Sequence, residues 1–363
     1  VSNRARPSSP ADRPVTMKDV ARAAGVSQST VSRILSGTPL PLSISDATRG
    51  RVHAAARSLG YRPNPFARAL RGAPSMLLGA IVRDITDPFL AAATEALSLD
   101  ARRLGYNIVL GLAHGSATEA LELAAVLEAR QCDAIVILGD MQHQPQLLDD
   151  LRAAEVPVIA LWQGSELQDI SAVNVDNAKG VAAAVQHLQD LGHEQIAFIS
   201  SQLLGDIRER QAAYVAAVGP VPEGYLQHVA NSPAGGADAL AAMLRLPEPP
   251  TAVIASTDVV AMGVLHAAAE HGLTVPDDLS VVGFDDIPLA RFCVPALTTV
   301  RMPTTEMVAA AAGLVAEALD RGREQSSPVV RLFDPELVIR KSSAPPPARR
   351  RPAALDGRPW EAR

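Results

Sequence analysis

Residues 16–36 read TMKDVARAAGVSQSTVSRILS. Thr16 stands three positions before Asp19, the spacing of a capping box, in which an N-cap hydroxyl and a first-turn acid serve each other's backbone donors. Val20, Ala21 and Ala24 recur at helical spacing, and Gly25 ends the segment. Ser27 then caps a second helix whose apolar face is Val31, Ile34 and Leu35. At about 100° per residue, Gln28, Ser29, Ser32 and Arg33 fall on the opposite side. Two short helices joined by a tight glycine turn have the helix-turn-helix shape. That shape also fits an ordinary helical hairpin, so the residues on its outer face carry the functional reading. Arg bonds a guanine edge bidentately and Gln an adenine edge, which makes Gln28, Ser29 and Arg33 candidates for base contact in a major groove. The hydroxyls of Thr16, Ser27, Thr30 and Ser32 lie at or near helix N-termini, where phosphates bind.

Outward from this stretch, Ser45 opens a third helix with Val52, Ala55, Ala56 and Leu59 inward and Gly60 as its stop. Pro63 and Pro65 flank Asn64 and hold the chain extended, so a short helix begins only near Pro65 and runs over Phe66 to Arg71. Residues 1–14 carry Arg, Pro and Ser without an apolar run, which reads as a disordered leader rather than a secretory signal.

After Pro74 the texture changes. Apolar runs at Leu77–Val82, Ile108–Leu112, Ala134–Leu138, Pro157–Leu161, Ile196–Ser200, Ala252–Ala255 and Ser280–Phe284 alternate with amphipathic helical stretches. Such runs mark parallel strands covered on both faces, so the body is an α/β protein with doubly wound sheets. Its length exceeds one open sheet unit and predicts two lobes. Residues 342–363, with Pro345-Pro346-Pro347 and Arg349-Arg350-Arg351, read as a flexible tail.

Charge follows the same division. Residues 1–75 hold twelve Arg or Lys against three Asp, whereas residues 76–339 hold fourteen basic against thirty-four acidic side chains. A basic module on an acidic body points to a polyanion partner for the module alone. The chain has 363 residues, 48% of them hydrophobic but only 3% aromatic, so its cores are aliphatic. No run approaches the roughly 20 apolar residues of a membrane helix, and Cys132 and Cys293 are too few for a disulfide framework or a cysteine-only zinc site. A cytoplasmic protein without membrane attachment is expected. There is no G-x-G-x-x-G, P-loop or G-x-S-x-G, and His193-Glu194 lacks the second His of the zinc-protease motif. No enzyme activity, cofactor or metal is expected, and His187 and His193 read as helix-end and loop residues.

The strings themselves are more specific than the shape. Met17-Lys18-Asp19-Val20-Ala21, Gly25-Val26-Ser27 and Ser29-Thr30-Val31-Ser32-Arg33 resemble the lactose/galactose repressor family of bacterial transcription regulators. The resemblance continues through Leu59-Gly60-Tyr61, Arg62-Pro63-Asn64, Ala67-Arg68-Ala69-Leu70, Asp87-Pro88-Phe89, Val173 to Asn177, Ser280 to Asp286 and Leu297 to Val300, covering roughly residues 15–341. It implies a helix-turn-helix domain over 15–63, a hinge helix and linker over 64–74, and an effector-binding and dimerisation body over 75–341. That body resembles the periplasmic sugar-binding proteins, with one lobe of about 75–174 plus 301–326 and the other of 175–300 plus 327–341.

The resemblance further implies a homodimer on a palindromic double-stranded operator, with hinge residues Asn64, Ala67 and Leu70 at its minor groove. A small-molecule effector would bind between the lobes. Its candidate residues, carried over by motif, are Asp84, Phe89, Arg210 and Asp285. Two departures join them: Thr257, where the family often has Asn, and Trp162, where it often has an acid. An indole there favours stacking on a ring, or else belongs to the core. A carbohydrate effector is expected, with a non-sugar metabolite such as a nucleobase as the alternative. Two rivals from other classes are a free solute-binding protein, which would lack the helix-turn-helix, and a nicotinamide enzyme, which would need the missing glycine fingerprint.

Overall fold

Three helices form the N-terminal unit: α1 (Met17–Ala24), α2 (Gln28–Ser36) and α3 (Asp46–Ser58). The computed structural model describes residues 15–36, 44–61, 74–141, 151, 154–162, 170–201, 205–321 and 327–347. The chain divides into two compact units at Ser75 and Met76. In the first, Asp19 accepts the Thr16 backbone N–H at 3.0 Å and the Thr16 hydroxyl at 2.7 Å, so the capping pair is formed. Gly25 takes φ +67 at the turn, a conformation in which a Cβ would be strained. Val20, Val31 and Val52 meet, fully buried, at the centre of a small apolar cluster. Leu59, expected inward, is 36% exposed. It lies one residue past the end of α3, where the chain turns outward at Gly60 (φ +65). The leader 1–14, the hinge candidates Asn64, Ala67 and Leu70, and residues 348–363 lie outside the described residues.

The second unit holds two sheets, each of six strands among the described residues. The first contains β1 (Leu77–Val82), β2 (Asn107–Leu112), β3 (Ala134–Leu138), β4 (Val158–Leu161), β5 (Ser171–Val175) and β11 (Val330–Phe333), in the order β11-β5-β4-β3-β1-β2. The second contains β6 (Ile196–Ser200), β7 (Leu226–His228), β8 (Ala252–Ala255), β9 (Ser280–Asp285), β10 (Thr298–Arg301) and β12 (Glu336–Val338), in the order β12-β10-β9-β8-β6-β7. All pairings are parallel except β10 with β12. Helices α4 (Pro88–Arg103) and α5 (Ala117–Ala129) cover the first sheet, joined by α10 (Thr304–Arg321). Helices α6 (Asn177–Asp190), α7 (Gly205–Val218), α8 (Pro233–Met243) and α9 (Asp258–Glu270) belong to the second. The chain therefore passes between lobes three times: after β5, after β10 and after β11. Among the described residues, no helix is long and apolar enough to cross a membrane.

Two expected boundaries are corrected. Residues 327–341 do not all join the second lobe, because Val330↔Ala172 through Phe333↔Val175 add β11 in parallel to the first sheet. An isolated VRLF carries no mark of which sheet edge it will complete; the unpaired donors and acceptors of β5 decide that. Nor do residues 342–344 belong to a flexible tail. Ser342 is fully buried, with its hydroxyl donating to Val281 O at 2.6 Å and accepting from Thr298 N at 2.7 Å. Buried His193 bonds Thr251 and Ser280 through its two ring nitrogens and lies 2.8 Å from Ala344 O. Burial holds the His193 pKa below the ordinary imidazole value. These contacts strap 340–344 across the strand starts of the second sheet, and backbone bonding overrides the tail-like composition.

Helices α8 and α9 cross at two glycines. A Cβ on Gly236 would lie 2.1 Å from Val260 O, and one on Gly263 would lie 1.8 Å from Pro233 O. No other residue permits this approach. The crossing places the start of α8, at Asn231 and Ser232, against the start of α9 at Thr257. There the Thr257 hydroxyl donates to Asn231 Oδ1 at 2.8 Å.

Candidate functional site

The C-terminal ends of parallel strands from both sheets converge on one cavity of about 270 Å³. This is where open α/β sheets bind ligands, because the strand ends release the chain into loops beside helix N-termini. β1 runs out into Arg83 and Asp84. Asp87 caps α4 by accepting the Phe89 N–H at 2.9 Å, which sets Phe89 in the first turn. β4 leads to Trp162, β8 leads to Thr257 and β9 ends at Asp285. Three non-glycine residues at these ends, Trp162 (φ +57), Asp285 (φ +115) and Asp286 (φ +55), take left-handed backbone conformations. Such strain persists only where surrounding contacts impose it. For Asp286 those contacts are Arg301 at 2.7 Å and Arg340 at 2.6 Å.

All six residues named from sequence as effector candidates, Asp84, Phe89, Trp162, Arg210, Thr257 and Asp285, line this cavity. Their polar atoms differ in what they still have to offer. Asp84 accepts from the Thr86 N–H and hydroxyl in a local turn. Thr257 caps α9, accepting from Val260 N at 3.3 Å while donating to Asn231. Arg210, only 2% exposed, donates to Asn177 Oδ1 at 2.8 Å, Ser256 O at 2.7 Å and Asp285 Oδ1 at 3.2 Å. Its guanidinium also lies 3.7 Å over the Phe284 ring. Arg210 is thus an organiser of the second lobe, neutralising a charge that burial alone would make costly. Burial pushes the Asp285 carboxyl well above the usual carboxylate range; Arg210 opposes this, while Asp258, Asp87 and Asp206 add to it.

Phe89 and Trp162 pack edge to face, with ring centroids 4.7 Å apart and planes at 71°. Trp162 is 3% exposed, so it belongs to the apolar core and to the cavity wall at once. Its indole N–H has no partner among the described residues, and neither has Oδ1 of buried Asp206. An orphaned buried donor or acceptor costs about 1–3 kcal/mol. Both residues line the cavity, but these two atoms are themselves closed off from it.

Sequence reasoning missed Asp206, Asn231 and Asp140. Asp206 opens α7 four positions before Arg210, and that i,i+4 spacing was its only signal. Asn231 joins the lobes, its amide donating to Asp87 Oδ2 at 3.2 Å. Asp140, just past β3, accepts the Gly205 N–H at the start of α7. Among the described residues, no group of three or more His, Cys, Asp or Glu is arranged to hold a metal.

On the first unit, Gln28, Ser29 and Arg33 are exposed while Val31 and Ile34 of the same helix are buried. Ser27, also exposed, caps α2, accepting from Thr30 N at 3.1 Å; its hydroxyl lies 2.8 Å from those of Ser29 and Thr30. Ser32 is half-buried. Thr16 is exposed, with its hydroxyl proton directed to Asp19.

Comparison with known proteins adds to this geometry. The family model described as "Bacterial regulatory proteins, lacI family" matches residues 16–64, and that of the "Periplasmic binding protein-like domain" matches 185–343. The HTH-type transcriptional repressor CytR of Escherichia coli (strain K12) is 35% identical, over 90% of this chain and 96% of its own. Catabolite control protein A of Priestia megaterium is 32% identical, over 86% and 95%. Among solved structures, the lac repressor dimer bound to operator and the anti-inducer ONPF is 27% identical, with TM-score 0.82, over 92% of this chain and 100% of that one. The complex of the transcriptional regulator CelR with cellobiose is 27% identical, with TM-score 0.67, over 91% and 100%.

Proposed function

The chain belongs to the lacI family of bacterial regulatory proteins, a family of transcription regulators and not of enzymes, and from this premise we propose that it is a dimeric repressor whose grip on a palindromic operator is set by a carbohydrate bound between its lobes. The observation that carries the reading is α2: a helix pinned by buried Val31 and Ile34 that turns Gln28, Ser29 and Arg33 outward. In this reading those three meet base edges in the major groove, and Thr16, Ser27, Thr30 and Ser32 meet phosphates. Asn64, Ala67 and Leu70, within the hinge 64–74, act at the operator centre. Leu70 wedges a base step there, and the unstacking cost is offset by wider contact.

One recognition helix covers a half-site, so a palindrome calls for a second copy. The body offers an apolar patch for it: Leu289, Phe292 and Val294, exposed at 54%, 71% and 93%, lie within six consecutive residues. Exposed apolar clusters of this kind mark association surfaces, and the similar lac repressor structure is a dimer on operator.

A carbohydrate suits the cavity. The Phe89–Trp162 pair offers ring surface for a sugar's apolar face, and carboxylates offer acceptors for its hydroxyls. The similar CelR structure holds cellobiose. An effector that prefers one arrangement of the lobes changes operator affinity by the ratio of its affinities for the two arrangements. The test is to select duplexes from a random pool with the full chain, then titrate the selected complex with a sugar panel and with a purine and amino-acid panel. The expected result is a palindromic consensus whose binding responds to a sugar. A chain with no preference for any duplex over bulk competitor overturns the repressor reading, and a response to the second panel alone overturns the carbohydrate.

A further inference from the structure

We propose that the second lobe carries an anion site outside the cleft, in which Arg291, Arg301 and Arg340 take a phosphate group, either free or on a small metabolite.

Three observations carry it. First, the three guanidiniums converge. They line one cavity of about 270 Å³ together with Asp286, Ile287 and Pro288. They come from separate elements: Arg291 from the turn Ala290–Phe292 that follows β9, Arg301 from the end of β10 and Arg340 from the segment after β12. Second, two of them are held in place. Asp286 accepts from Arg301 Nε at 2.7 Å through one oxygen and from Arg340 Nη2 at 2.6 Å through the other. Arg340 also donates to Leu297 O at 2.8 Å. A guanidinium fixed in this way has already lost its side-chain freedom, yet it keeps further N–H groups to donate.

Third, positive charge is in excess and reachable. One carboxylate faces three guanidiniums, in a body whose acids outnumber its bases. Glu336, outside the lining, touches Arg301 at 3.3 Å, but its side chain is 72% exposed, so solvent weakens the pair. Arg301 itself is 46% exposed, and its Nη2 donates to nothing among the described residues. Arg291 is exposed and has no acid partner among the described residues; its guanidinium lies 5.3 Å from the Phe292 ring centroid.

Planar forks of N–H donors match the oxygens of a phosphate, and Arg is the side chain that recognises it in this way. The excess of two positive charges suits a phosphate dianion, the prevailing form of a monoester at neutral pH. A monocarboxylate brings one charge and two oxygens, so it satisfies the site less well. Asp286 directly follows Asp285 of the cleft, but the two cavities share no lining residue, and the site does not depend on what the cleft binds.

Calorimetric titration of the full chain at constant ionic strength tests the proposal, with inorganic phosphate, glycerol 3-phosphate, glycerol and acetate as probes. Both phosphates should bind saturably, acetate about tenfold or more weakly, and glycerol not at all. Arg291→Gln removes a guanidinium whose one contact is an exposed ring, so the fold is kept. It should weaken both phosphates by about tenfold or more, the loss of a charge-assisted hydrogen bond. Arg301→Gln, checked for folding by circular dichroism, should act in the same direction. Binding of inorganic phosphate alone, with the same losses in the variants, supports the site and limits its ligand to the free ion. The basic N-terminal unit also attracts phosphate, so binding that both variants retain in full lies elsewhere and overturns the proposal. Absence of saturable binding at millimolar phosphate overturns it as well.

Discussion

Asp140→Asn probes a carboxyl group that prefers its proton, at the junction of the two lobes. Asp140 is 3% exposed and accepts the Gly205 N–H across that junction. Burial pushes its pKa from 3.8 up to about 7; Asp206 adds to the shift, while the Gly205 bond, Arg83 and Arg208 oppose it. Between those two values the folded chain holds a proton that the unfolded chain has released. The native state then binds more protons, so stability falls as pH rises through the window. A separation of about three pK units corresponds to about 4 kcal/mol, in full force above pH 7 and absent below pH 4. Asn keeps an oxygen for Gly205 and never ionises. The variant should therefore be about 2–4 kcal/mol more stable than the parent at pH 8, and the two should converge near pH 4. Urea unfolding followed by circular dichroism from pH 4 to 8.5 measures this. Asp258, which burial also pushes up to about 7, is common to both chains and cancels in the difference. Parallel pH curves for the two proteins would refute the reasoning.

Gly263→Ala should lower stability by about 3 kcal/mol, read as a fall in melting temperature, because the new methyl meets Pro233 O at 1.8 Å; an unchanged melting temperature contradicts the helix crossing. Gln28→Ala and Arg33→Ala should each cost about 1–3 kcal/mol of operator affinity and relax preference at one base position in a selection experiment. A loss equal across all sequences would make them phosphate contacts instead. Leu70→Ala should weaken operator binding much more than nonspecific binding in filter or mobility assays, and equal losses would remove the wedge. Ser342→Ala should destabilise the body by about 1–3 kcal/mol, since Val281 O and Thr298 N lose a buried partner; a neutral result would mean that 340–344 only lies on the surface.

Both the helix-turn-helix and the seven apolar strands were legible locally, and the reasons are physical. Helical spacing, the Thr16–Asp19 cap and the Gly25 stop are properties of a few consecutive residues, as are runs such as AIVIL at 134–138. The strands that escaped notice, among them LQH at 226–228 and ELV at 336–338, have no pattern of their own. They are strands because a neighbouring edge presents unpaired backbone groups. The six cleft candidates were found by matching a family string, and each stands at or near a strand end where the chain leaves the sheet.

By itself the amino-acid order determined what depends on near neighbours: three capped helices, alternating strands and helices, and a basic head on an acidic body. Tertiary structure alone decided which sheet received residues 330–333, that 340–344 are strapped down, and which polar atoms of the cleft remain unpaired. Arg210 and Asp206, four residues apart on one helix, look alike as charged surface positions in the sequence. Folding surrounds the first with partners 33, 46 and 75 residues away and leaves an oxygen of the second without any. Hydrogen-bond satisfaction is a property of three-dimensional neighbours, and no local pattern encodes it.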